Sequence, residues 1–119
     1  MSSQHINTGK EGEALAADYL QQQGFHILHH NWRYSRYEID IIAVKNNILH
    51  FIEVKTRRTH QFGLPEESVS KRKIACLLKG GAGFLRQFPQ WKRVQYDVLS
   101  ISLVAGKLPE YFLIEDIYL

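Results

Sequence analysis

A single cysteine, Cys76, leaves no partner for an intramolecular disulfide, so a reducing compartment is the default expectation. No apolar run approaches the roughly 18 to 20 residues that a membrane-spanning helix needs, which argues against a transmembrane protein. The N-terminus lacks the charged, apolar and small-residue succession of a signal peptide, and the expected location is therefore the cytoplasm. With only three prolines and eight glycines among 119 residues, and no repeat or low-complexity tract, the chain reads as one domain over residues 1–119. Charge of one sign is also scarce. Lys plus Arg exceed Asp plus Glu by 15 to 12, and a net charge of +3 permits an anionic partner without requiring one.

The remainder, 45% hydrophobic and 23% charged, is the composition of a globular domain that folds unaided. Thr8 to Gly24 predicts a helix: Thr8 and Glu11 have capping-box spacing, Ala14 to Ala17 favour helix, and Gly24 can end it in the left-handed region. Phe25 to Trp32 alternates as a strand does, and Arg33 to Tyr37 reads as a polar, aromatic connection. Glu38 to Val44 and Ile48 to Arg57 are rich in β-branched residues, with Asn46 and Asn47 suited to the tight turn of a hairpin. Thr59 to Glu67 predicts a loop, after which Ser68 or Ser70 can cap a helix over about Val69 to Phe88. Gly80, Gly81 and Gly83 each cost that helix about 1 kcal/mol, so either packing compensates or the helix breaks. Gln95 to Val104 and Glu110 to Tyr118 are two further strands, joined by a turn near Ala105 to Lys107. The order α-β-β-β-α-β-β implies an α/β fold, a mixed central sheet flanked by helices.

A loop centred on Asn46 and Asn47 brings Asp40 opposite Glu53 and Glu38 opposite Lys55, and alternation then directs all four to one face. Opposed carboxylates destabilise a sheet unless a positive charge sits between them, and Mg²⁺ is commonly held by one or two carboxylates with waters. Lys55 beside them could orient a water or offset charge on a phosphate. The bland alternative is a solvated salt-bridge patch. Against it, Asp40 and Glu53 interrupt the apolar stretches Ile39 to Val44 and Phe51 to Val54, where a charge is costly. Glu13, at helical spacing from Ala16, Ala17 and Leu20, can reach the same metal or simply complement the helix dipole.

Gly9, Gly12-Glu13-Ala14, Asn31, Arg33, Glu38-Ile39-Asp40, Glu53-Val54-Lys55-Thr56-Arg57, Lys73 and Tyr96-Asp97 together resemble the YraN family of small bacterial proteins. The centre of that pattern looks like the PD-(D/E)XK nuclease motif. The family is similar to archaeal Holliday-junction resolvases and restriction endonucleases, which implies a restriction-endonuclease-like sheet and a Mg²⁺-dependent phosphodiesterase site in which Mn²⁺ can substitute. By resemblance Glu13, Asp40, Glu53 and Lys55 form the catalytic set, Asp40, Glu53 and Glu13 hold the metal, and Glu38 and Lys73 flank the site. The same resemblance implies a homodimer, because a four-way junction offers two symmetric strands. Tyr37 stands where the family usually has Gly, and Gln95 where Arg commonly precedes the aromatic-Asp pair.

Arg57, Arg58, Lys71, Arg72 and Lys73 surround the loop after the site and can contact phosphates, or simply form a solvated face. Arg33 and Arg36 interleave with Trp32, Tyr34 and Tyr37, a mixture suited to stacking on unpaired bases or to packing. His26 and His30 share one strand face while His29 points away, which disfavours a zinc site. His50 falls on the hairpin face opposite Glu53 and Cys76 inside an apolar helical segment, and both read as structural. The expected function is a metal-dependent endonuclease acting on structured or branched DNA. The alternative is a non-catalytic module on a nuclease scaffold that docks on DNA or on a repair or recombination protein. An RNA-directed nuclease is a third reading.

Overall fold

A computed structural model of the chain describes residues 3–58 and 70–117. Helix α1 (Ser3–Gln22) leads into strands β1 (His26–Tyr34), β2 (Tyr37–Lys45) and β3 (Ile48–Arg57), followed by helix α2 (Lys71–Gln87) and strands β4 (Val94–Ser102) and β5 (Glu110–Ile114). This is the element order expected from the sequence. The expected loop of Thr59 to Glu67 lies outside the described residues.

Local chemistry accounts for most boundaries. Helix α1 ends where Gly24 takes φ 97, with Phe25 N–H donating to Leu20 O at 2.9 Å and Gly24 N–H to Gln21 O at 3.1 Å. That pair of bonds satisfies the last carbonyls of the helix. Its start differs from expectation: the helix begins at Ser3, so Thr8 is interior rather than a cap, since Gln4 to Asn7 contain neither Gly nor Pro. Ser70 caps α2, its hydroxyl accepting from Lys73 N–H at 3.1 Å. Asn46 and Asn47 both have positive φ, 54 and 65, and close the β2–β3 hairpin at Lys45 opposite Ile48. Strand β1 runs two residues beyond Trp32 and turns tightly at Ser35 and Arg36, because Arg33 pairs with Glu38 and Tyr34 with Tyr37. The expected connection at Arg33 to Tyr37 is thus mostly strand.

The five strands lie in sequence order, antiparallel except for β3 and β4, which are parallel and joined by α2. One face packs on α1 through Ala16, Leu20, Ile41, Ala43, Ile52, Leu99 and Ile101. The other packs on α2 through Ile39, Ile42, Leu49, Phe51, Leu77 and Phe84. Three layers result, and one sheet shields both cores.

Ile39 and Ile41 should share a face by simple alternation, yet they sit in opposite cores. The hairpin register explains the break. β2 pairs with β3 only as far as Ile41 opposite Ile52; beyond that point β2 stays with β1 and β3 stays with β4 to Arg57. The sheet therefore splits between Asp40 and Glu53. On the β1 side Asn31 has a positive φ of 51, while the β1–β2 register itself shifts further back, between Ile27 and His29.

Helix α2 runs unbroken through its glycines because the backbone presses on the sheet there. A methyl at Gly81 would meet the Tyr96 ring at 2.7 Å, and one at Gly83 would overlap the Tyr34 ring. Packing thus overrides propensity. Gly83→Ala gains about 1 kcal/mol of helix propensity but overpacks a ring held by Arg86 at 2.8 Å and stacked on Trp32. A net loss of about 1 to 2 kcal/mol is expected, read as a lower urea midpoint; a stabilised variant would show that this contact yields.

Candidate functional site

Both acids flanking the split are only half-buried, which gives solvent and ions access to them. With no β3 partner strand bond at its position, the Asp40 carboxylate itself accepts Val54 N–H through Oδ2 at 2.8 Å. Glu53 Oε2 accepts from the Lys73 ammonium at 3.1 Å, a bond reaching from β3 to the first turn of α2. Burial, followed by the Glu53 charge, raises the Asp40 pKa from 3.8 to about 7, with Glu13 and Glu38 adding to the rise and the Val54 N–H opposing it. The hydrogen bond to Glu53 pushes the Lys73 ammonium up from its usual value.

Two clefts open from this point, and Asp40, Glu53 and Lys73 line both. Glu13 and Lys55 line one of them, together with Gly9 and Thr56. Glu38 lines the other, together with Ser70, Arg72, Cys76 and Leu77. The expectation that Glu38, Asp40, Glu53 and Lys55 form one cluster on one face is corrected accordingly: the strands diverge past Ile41, and Glu38 and Lys55 fall into different clefts. Helix α1 brings Glu13 in by close approach, since Gly12 has no room for a methyl against Thr56. Asn31 Nδ2 then donates to Glu13 Oε1 at 3.4 Å. Cys76, expected to be buried, is half-exposed in the Glu38 cleft.

The donor set fits a hard divalent cation bound with few protein ligands. Asp40 Oδ1 carries no protein hydrogen bond among those described, burial and the Glu53 charge raise its pKa, and Glu53 stands beside it. Among the described residues no three His, Cys, Asp or Glu side chains converge at ligand spacing, so waters and substrate oxygens would complete the shell. His29 packs edge-on against Phe84, while His26 and His30 are exposed.

The candidate phosphate-binding cations divide by position. Arg33 faces Glu38 at 3.8 Å, and Arg36 lies 5.3 Å from the centre of the Tyr37 ring at the β1–β2 turn. Arg57 is half-buried at the end of β3, and Arg58 pairs with Glu11 of α1 at 2.7 Å. Lys71, Arg72 and Lys73 occupy the first turn of α2, which holds no acid, although the helix dipole disfavours cations there. Trp32 and Tyr34 are engaged in packing, against Phe84 and Arg86 respectively.

Sequence reasoning missed three features. The Lys73–Glu53 bond spans 20 residues and has no local periodicity to announce it. Lys79 joins the cations near Tyr37, one helical turn and more beyond Lys73. Asp97, fully buried, binds His50 Nδ1 at 2.7 Å; the sequence marks Asp97 through the Tyr96-Asp97 pair of the family pattern, but nothing in it announces the bond to His50. Gln95, which departs from the family pattern, donates to Asp97 at 3.1 Å and to Glu115 at 3.3 Å, so an amide keeps a carboxylate contact there.

Comparison with known proteins places these residues in a lineage. The model of the uncharacterised protein family UPF0102 matches residues 12–101. A UPF0102 protein of Phocaeicola vulgatus is 42% identical over 115 residues, covering 97% of this chain and 92% of that one. A UPF0102 protein of Chlorobaculum parvum is 44% identical over 103 residues, covering 86% and 78%. Among solved structures, Archaeoglobus fulgidus Hjc, a Holliday junction resolvase, is similar with a TM-score of 0.49 and 19% identity, over 87% of this chain and 74% of that one. With the family match running from within α1 through α2 and nearly all of β4, the chain belongs to UPF0102, the YraN family.

Proposed function

We propose that this chain is a metal-dependent endonuclease that hydrolyses phosphodiester bonds in structured or branched DNA. The observation that carries the reading is the pair Asp40 and Glu53 at the mouth of a split sheet, where burial and the Glu53 charge disfavour the ionised form of Asp40. Asp40 and Glu53 would hold Mg²⁺ or Mn²⁺, with Glu13 at the margin of the same cleft. When bound, such a cation polarises a phosphate oxygen and lowers the pKa of a water. Val54 N–H holds one Asp40 oxygen, which would leave the other for a cation. Lys55 and Lys73 are the ammonium groups within reach of charge developing on the phosphate. The three cations opening α2 favour an anionic strand, since nothing in their own helix turn compensates them. By the resolvase resemblance the working unit would be a homodimer.

The test is incubation with four-way junctions, flaps and single strands in Mg²⁺ or Mn²⁺. Glu53→Ala is expected to lower cleavage about a hundredfold or more. Absence of cleavage with every substrate and both metals, or cleavage indifferent to Glu53→Ala, refutes the proposal.

A second reading, a non-catalytic binding module, draws on the engagement of Glu53 by Lys73 and on the want of a third ligand among the described residues. Calorimetric titration with Mn²⁺ separates the two, because only the nuclease requires uptake that depends on these acids.

A further inference from the structure

The Glu38 cleft does not end at α2. Arg72 and Cys76 line both it and a neighbouring opening formed by Arg36, Tyr37, Arg72, Ala75, Cys76 and Lys79. No acidic side chain among the described residues lines this second opening. Three cations thus converge on a concave surface of about 480 Å³, within the size range of small-ligand sites. Like charges gathered this way repel one another unless an anion joins them.

Tyr37 gives the opening its second character. The Arg36 guanidinium carbon lies 5.3 Å from the ring centre and the Lys79 ammonium 6.0 Å from it, and Arg36 Nη2 donates to the Tyr37 hydroxyl at 3.3 Å. The ring is half-exposed, as Trp32 and Tyr34 are, but of the three only Tyr37 lines this opening. An aromatic face beside paired cations is the chemistry that holds a nucleotide by its base and its phosphate together. A base within a duplex has both faces covered, so only an unpaired one can use the ring.

We infer that this opening is a subsite for one unpaired nucleotide next to the strand at the carboxylates, its base stacked on Tyr37 and its phosphate between Arg72 and Lys79. The inference rests on the nuclease reading and narrows its substrate to DNA with a single-stranded segment beside the site.

The probe is a fluorescein-labelled DNA duplex with a five-nucleotide single-stranded overhang, compared with the same duplex blunt-ended, by anisotropy in EDTA. Tyr37→Leu is expected to weaken overhang binding about fivefold or more and to leave blunt binding unchanged, with Tyr37→Phe behaving as the parent. Lys79→Gln, an exposed change that does not touch the core, is expected to weaken overhang binding and lower its salt dependence by about one ion. Equal losses on both duplexes with Tyr37→Leu, or no loss with either variant, overturn the subsite. Because binding is read without metal, the two readings fail separately. Cleavage that depends on Glu53 while the overhang is ignored removes the subsite alone. An overhang preference without any cleavage leaves the subsite and removes the nuclease.

Discussion

Asp40→Asn is expected to make the metal-free protein more stable at pH 8, and in the same step to abolish its divalent-metal uptake. The Asp40 carboxyl has a pKa of 3.8 when unfolded and about 7 when folded, because burial and the Glu53 charge disfavour its ionised form. Between those values the native state holds a proton that the unfolded state has released, so stability falls as pH rises through the window. The loss is complete above about pH 7 and amounts to about 2 to 4 kcal/mol, allowing for partial solvent access. Asparagine has the same shape, still accepts Val54 N–H, and cannot ionise. Urea midpoints in EDTA should therefore converge for parent and variant below the unfolded pKa of 3.8, separate as pH rises through the window and differ most at pH 8, the variant being higher. Addition of Mg²⁺ should restore the parent at pH 8 by binding its native state, and should leave the variant where it was. Outer-sphere changes at metal sites cost 10- to 100-fold in affinity, so losing a ligand is expected to cost about a hundredfold or more. A variant no more stable than the parent at pH 8 would mean that the carboxylate is not strained, and would remove the electrostatic case for a cation.

This strain also marks where the sequence stopped being readable. Asn46 and Asn47 define the hairpin locally, through a two-residue turn that admits positive φ, and the register carrying Asp40 toward Glu53 follows from it. Alternation, however, assumes that the ladder continues. It ends at Ile41 because β2 and β3 each follow a different neighbour, and the competition between β1 and β4 is a property of the whole sheet. Alternation consequently puts Glu38 and Lys55 on one face, whereas they line two clefts. The Lys73–Glu53 bond was illegible for a related reason, since it depends on where the parallel crossover sets α2 down. Within α2 the glycines read as a weakness, whereas contact with Tyr34, Tyr96 and Ile39 makes them a requirement. The apolar strands announced themselves by composition; the polar pair buried between two of them did not.

Asp97→Ala is expected to cost about 3 to 5 kcal/mol, enough to unfold a marginal domain. The Asp97 carboxylate is fully buried and accepts three donors: His50 Nδ1 at 2.7 Å, Gln95 Nε2 at 3.1 Å and Asp116 N–H at 2.9 Å. Alanine would strand all three, and the His50 ring, only 4% exposed, has no water to turn to. The damage would not stay local. Asp116 N–H and Ile117 N–H, the latter donating to Tyr96 O at 2.7 Å, tie the end of β5 back to β4, and β4 in turn pairs Asp97 with Ile52, next to Glu53. Asp97→Asn should behave quite differently. Its amide oxygen can accept from Gln95 and Asp116, while its NH₂ donates to His50 Nδ1 once the imidazole carries its proton on Nε2. Under about 1.5 kcal/mol of destabilisation is expected for that variant, read by urea denaturation beside the alanine. A large loss for both would show that His50 and Asp97 are bound as an ion pair, which asparagine cannot replace. A small loss for both would mean that β5 is held by its ladder alone, and the split that exposes Asp40 and Glu53 would then depend on β3 and β4 without help from the buried pair.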